Sequence, residues 1–144
     1  MTTYIKKGLK FIAYLILIGL VGLSIYTFAI TDILKKDYVD VFGYTYFVVR
    51  TGSMSGTLEV DDIIFVKIGK KPVIGDIVSF TNKDGEIITH RLVRKAGDKL
   101  ITQGDVNNTE DEPIDGEQVI GVVSGSVSPS FILKSVAMFL ILFI

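Results

Sequence analysis

Arg50 to Val60 reads RTGSMSGTLEV, and Ser53 stands there between Gly52 and Met54 with a second hydroxyl, Thr51, two residues upstream. A serine is a nucleophile only when a base takes its proton and donors stabilise the oxyanion that forms. Gly52 lets the backbone approach a substrate closely, and a loop leaving a strand can hold its N–H groups outward. Serine beside glycine is also ordinary turn chemistry, so the assignment depends on partners elsewhere in the chain. His90 is the only histidine among 144 residues. In EIITHRLVR, Glu86 to Arg94, period-2 alternation puts it on one face with Ile88 and Leu92. An imidazole in such a wall can serve as a general base, or it can be a satisfied core histidine. The stretch GDVNNTEDEP supplies Asp105, Glu110, Asp111 and Glu112. Any of these could accept the other imidazole N–H and fix its tautomer, as in a serine triad; the same stretch also reads as a solvated acidic loop. A serine–lysine dyad is the competing arrangement, and Lys67, at the end of an apolar strand, is the lysine best placed for it.

Other chemistries find less support. The acidic stretch lacks the spacing of an EF-hand loop, and a chain with no Cys and one His is poorly equipped for a transition metal. No metal or cofactor is expected. A net charge of −1, with no basic patch interleaved with aromatics, gives no reason to expect nucleic acid.

The elements that must position these residues are legible. The composition is 49% hydrophobic although 22% of residues are charged, so the apolar residues are concentrated. Phe11 to Ile30 carries no charge, and 20 residues span about 30 Å as a helix, the thickness of a bilayer core. The run exceeds the usual core of a cleaved leader and ends without a small-x-small site, so it reads as a retained anchor. Lys6, Lys7 and Lys10 precede it, while Lys35 and Lys36 beyond it are offset by Asp32, Asp37 and Asp40. That bias puts residues 1–10 in the cytoplasm and the bulk of the chain outside. Residues 131–144 are apolar apart from Lys134 and Ser135, yet reach only about 21 Å as helix. They read as a partial second span, an interfacial segment or a truncated span.

Residues 31–130 read as a small all-β domain, barrel-like or sandwich-like. Strand signals fall at Phe42–Arg50, Asp62–Lys67, Asp76–Thr81, Glu86–Arg94, Lys99–Gln103 and Gln118–Ser124, separated by turn residues. Asn82 to Gly85 predicts a hairpin. The aromatics of Phe42 to Val49 fit a face resting on lipid or a buried core equally well. Without Cys, stability must come from packing.

The order of these features, anchor, strand, TGSM, GDIVSF, ITHRL and TQGDVNNTED, resembles membrane-bound type I signal peptidase. The branch it resembles is that of the endoplasmic reticulum, archaea and some Gram-positive bacteria, in which histidine replaces the general-base lysine. The likeness covers about Val48 to Val123 and the anchor. It implies Ser53 as nucleophile, His90 as base and Asp111, six residues after the aspartate of GD, as the essential acid. It implies that Asp105 supports the site and that Thr51 helps form the oxyanion hole. Ser55-Gly56 stands where the family often has Glu-Pro, which removes a fixed φ, and GDNN is loosened to Gly104-Asp-Val-Asn107.

The resemblance implies a serine endopeptidase that removes signal peptides from preproteins, bound as an extended strand, at a bilayer and near the Sec translocon. A cell membrane is expected rather than the endoplasmic reticulum. Two other readings stand beside it: a dedicated peptidase for one or few secreted clients, and a non-catalytic anchored β-domain acting as an accessory module.

Overall fold

The computed structural model describes residues 2–29 and 37–143, with side chains at 4–29, 37–136 and 138. The end of the apolar run at Ile30 and the charges Asp32, Lys35 and Lys36 lie outside these residues. The chain divides into two compact units, residues 1–39 and 40–144.

The first unit is helix α1 (Thr2–Phe28). Its stretch Tyr4–Phe28, 25 residues of mean hydropathy 2.2, is long and apolar enough to cross a membrane. Its apolar side chains are exposed all round, among them Phe11, Leu15, Ile18 and Ile25. A helix hydrophobic on every side belongs in an apolar medium rather than in water.

The second unit bears out the mainly β expectation. Its strands are β1 (Tyr44–Val48), β2 (Ile63–Ile68), β3 (Ile77–Thr81), β4 (Ile87–Ala96), β5 (Lys99–Gln103), β6 (Ile114–Asp115) and β7 (Val119–Val127), followed by helix α2 (Pro129–Phe143). They join in one sheet of order β1-β2-β7-β3-β4-β5-β6, with every pairing antiparallel. β1 and β6 are its edges. Residues 131–143 of the apolar C-terminal segment lie within α2, whose 15 residues reach roughly 22 Å at 1.5 Å per residue, and Ile144 lies outside the described residues.

Alternation gives the sheet apolar cores on both faces. Val78, Phe80, Leu92, Leu100, Ile114 and Val122 form one cluster; Met54, Leu58, Ile64 and Val66 form the other. Val122 belongs to the first while Val123 packs on the second, and Val78 and Ile77 divide likewise. Successive side chains of a strand point to opposite faces, so each such pair feeds both cores. β7 runs between β2 and β3 and shifts register against each, which leaves Ser124 and Ile120 as extra residues. Bulges bend a strand and increase its twist. Gly121 is required at that bend, because a Cβ there would lie 2.1 Å from the Lys67 carbonyl oxygen.

Two hairpins matter most for the site. Asn82–Gly85 forms the expected turn: the Asn82 side-chain oxygen accepts from Asp84 N and Glu86 N, and Gly85 takes φ +83. That turn launches β4, which carries His90. Val41 and Tyr44 exchange backbone hydrogen bonds of 2.8 and 3.1 Å around Phe42-Gly43, both at positive φ. This is a type I′ geometry, which normally takes Asn-Gly; here a fully exposed phenylalanine holds it.

Candidate active site

Ser53 is presented by a loop whose two ends are tied together. Val49 N donates to Asp62 O and Asp61 N donates to Val49 O, each at 2.9 Å. Between them Gly52–Met54 make one 3-10 turn. Met54 is fully buried in the second cluster with Leu58. Met54 therefore plugs the loop into the core while its neighbour Ser53 stays half-buried at the surface. Gly56, at φ +90, donates its N–H to Glu59 Oε1 at 2.8 Å and ties the loop to itself after Ser53.

Ser53 Oγ lies 3.0 Å from His90 Nε2, and His90 Nδ1 lies 2.6 Å from Asp111 Oδ2. His90 is buried on the face it shares with Leu92, opposite Val78 of β3. Asp111 is fixed from β5: its N–H donates to the Thr102 carbonyl at 2.8 Å, and the Thr102 hydroxyl donates to Oδ2 at 2.7 Å. With Nδ1–H donating to Asp111, Nε2 is the acceptor for the Ser53 hydroxyl. Thr51 Oγ1 lies 3.3 Å from Ser53 Oγ. Hydroxyl, imidazole and carboxylate thus form one hydrogen-bonded line, an arrangement able to carry a proton from the serine and hold it.

Asp105 has a different task. Arg91 grips it with Nε on Oδ1 at 2.8 Å and Nη2 on Oδ2 at 2.7 Å, and the Thr57 hydroxyl donates to Oδ2 at 2.6 Å. The fork joins β4, the Ser53 loop and the segment after β5. Its hydrogen bonds hold the Asp105 carboxyl below the usual carboxylate range and raise the Arg91 guanidinium. The other two acids are also partnered. Glu110 takes both prongs of Arg94, at 2.9 and 2.6 Å, and Glu112 pairs with Lys83. The stretch that read as a solvated acidic loop is therefore pinned, acid by acid, to β4 and the turn before it.

Gly104 explains the glycine of the GD pair. A Cβ there would stand 2.8 Å from both the Ser53 carbonyl oxygen and Asn107 Nδ2. Val106 N donates to that same carbonyl at 3.1 Å. Thr102, Arg91, Thr57 and Gly104 were not singled out by sequence reasoning. Arg91 and Thr102 carried a signal, a cation beside the sole histidine and a hydroxyl between Ile101 and Gln103; Thr57 and Gly104 are recognisable only from contacts distant in sequence.

A groove of about 700 Å³ contains Ser53 and His90, walled by Tyr46 to Thr51 on one side and Glu86 to Thr89 on the other. Among the described residues β1 pairs with β2, and residues 87–90 of β4 pair with β3 alone. Residues 87–90 of β4 therefore offer the groove a strand edge with no partner strand among the described residues. Among the described residues no lysine lines the groove; Lys67 places its Nζ 5.5 Å from the centre of the Tyr44 ring.

The chain is similar to Signal peptidase I W of Bacillus subtilis (strain 168), with 35% identity over 97 residues, 62% of this chain and 51% of that protein. It therefore spans about half the length of the curated relative it matches. No protein-family model matches it. The likeness supports a signal peptidase I, and with it a peptidase. Together with the apolar N-terminal helix it also supports a membrane-anchored protein.

Proposed function

We propose that this chain is a membrane-anchored serine endopeptidase that removes signal peptides from translocated preproteins, and that it uses histidine rather than lysine as its base. The observation that carries this reading is the Ser53–His90–Asp111 line, at 3.0 and 2.6 Å, at the wall of a groove bordered by the open edge of β4. The 3.0 Å approach of His90 Nε2 to Ser53 Oγ favours the serine–histidine branch. The likeness to Signal peptidase I W supports signal peptides as the substrate class of this reading.

An extended substrate segment enters the groove and adds as a strand, main chain to main chain. Ser53 Oγ attacks the scissile carbonyl carbon while its proton passes to His90 Nε2. Asp111 holds Nδ1–H and stabilises the imidazolium. The oxyanion falls to the Ser53 N–H and the Thr51 hydroxyl, each donor lowering the barrier by about 3 kcal/mol in comparable sites. His90 returns the proton to the leaving amine as the C–N bond breaks. Water then hydrolyses the acyl-enzyme by the same relay. The N-terminus is cytoplasmic and the β unit lies outside, in a cell membrane, where preproteins emerge beside a translocon.

Cleavage of a model preprotein in liposomes tests this. Wild type cuts at a small-x-small site; Ser53→Ala and His90→Ala each lose about 10³-fold or more in kcat. Full activity in His90→Ala would eliminate histidine as base, and full activity in Ser53→Ala would eliminate the serine mechanism.

A further inference from the structure

A second cavity, of about 430 Å³, lies against Asp111 between the β3–β4 turn and residues 111–114. It is not part of the groove: Ile88 is the one residue lining both, and Asp111 lines only the second. Its apolar walls come from Phe80, Ile88 and Ile114. Its charged residues are Asp84, Asp111 and Glu112 against Lys83, which is already paired to Glu112. Asn82 and Gln118 add neutral polar groups, and a volume of this size falls in the range of small-molecule sites.

Asp111 gives the cavity a chemical consequence. Its Oδ2 takes both His90 Nδ1 and the Thr102 hydroxyl, whereas Oδ1 has no hydrogen-bond partner among the described residues. No buried side-chain oxygen or nitrogen is unpartnered among those residues, so Oδ1 is open to solvent. Asp111 is among the residues that line the cavity.

We propose that this cavity binds a small organic cation, an ammonium or amidinium on an aryl or alkyl body, whose charged end bonds Asp111 Oδ1 behind the histidine. The excess of carboxylate selects the cation, and the apolar walls take its body. A cation on Oδ1 draws the carboxylate's charge away from His90 Nδ1–H and weakens the relay without occupying the groove. The weakening rests on the relay proposed above; the binding does not.

The single histidine gives an unambiguous reporter. Titrating the ¹⁵N-labelled full chain in detergent with benzamidinium should shift the His90 imidazole resonances saturably. Asp84→Lys, a charge reversal in an exposed turn, should weaken the binding constant about threefold or more, as expected of a partly screened pair. Steady-state cleavage with benzamidinium present should show kcat falling at constant KM. A rise in KM at constant kcat would put the cation in the groove and overturn the proposal. So would a His90 shift that is linear in concentration, or one equally strong in Asp84→Lys. If Ser53→Ala cleaves like wild type, the peptidase mechanism fails, while the resonance titration still decides on the cation.

Discussion

Two aspartates six residues apart hold different partners, and the partners settle how each behaves. Asp111 faces an imidazole and a threonine hydroxyl, while Asp105 faces the guanidinium fork of Arg91. The sequence alone left four acids open as partners of His90, because all four are compatible with a loop and none carries a local mark. What separates them is register: Thr102 on β5 pairs with Leu92, two residues beyond His90 on the same face, and it anchors Asp111 there. Asp105 also has a pH signature. Its folded carboxyl titrates below its ordinary value near 3.9, so its stabilising contribution is complete above about pH 4. That contribution disappears as pH falls through the lower folded value. Asp105→Asn should lower Tm at pH 7, and the gap to wild type should narrow as pH falls below about 4 and the wild-type carboxyl protonates. A gap of constant size across that range would mean that the fork is not a charge interaction.

At the scale of elements, alternation made the strands readable. The six expected runs correspond to β1–β5 and β7. β6, two residues paired to Lys99 and Leu100, is too short to leave a periodic signal. The bulges of β7 were equally hidden, since an extra residue such as Ser124 shows only against its partner strand. The Ser53 loop was legible as a loop, but its dependence on the segment after β5 was not. Gly104 carries that dependence, with its Cα side pressed on the Ser53 carbonyl. Gly104→Ala must push the two segments apart, because neither the carbonyl nor the backbone that holds it is a flexible side-chain end. Displacement of a nucleophile by about 1 Å can cost around 10²-fold in rate, so kcat should fall by about that factor. Gly116→Ala, where a Cβ meets nothing within 4 Å, should leave kcat unchanged. Equal kcat in both variants would remove Gly104 from the positioning of Ser53.

At the scale of the whole chain, the aromatics of β1 are divided between two environments. Phe47 packs on the second core cluster, whereas Tyr44, Tyr46 and Val48 are exposed, and Phe65 of β2 stands exposed opposite Tyr46. Phe42 is fully exposed at φ 54 in a position that asparagine or glycine would occupy with less strain. A bulky residue kept in the left-handed region at a hairpin tip points to a use for the ring outside the fold. In a chain that also carries a helix long and apolar enough to cross a membrane, the use we propose is insertion among lipids, where an aromatic side chain is stable at the interface. The protein contains no tryptophan, so Phe42→Trp places one fluorophore at the tip. In liposomes of the full chain its emission should be blue-shifted and quenched by lipids brominated high on the acyl chain. Phe42→Asn should raise Tm by relieving the backbone, by about 1 kcal/mol in stability, because the strain then has no compensating ring. Unquenched emission at the wavelength of tryptophan in water would leave the aromatic face of β1 without a lipid role.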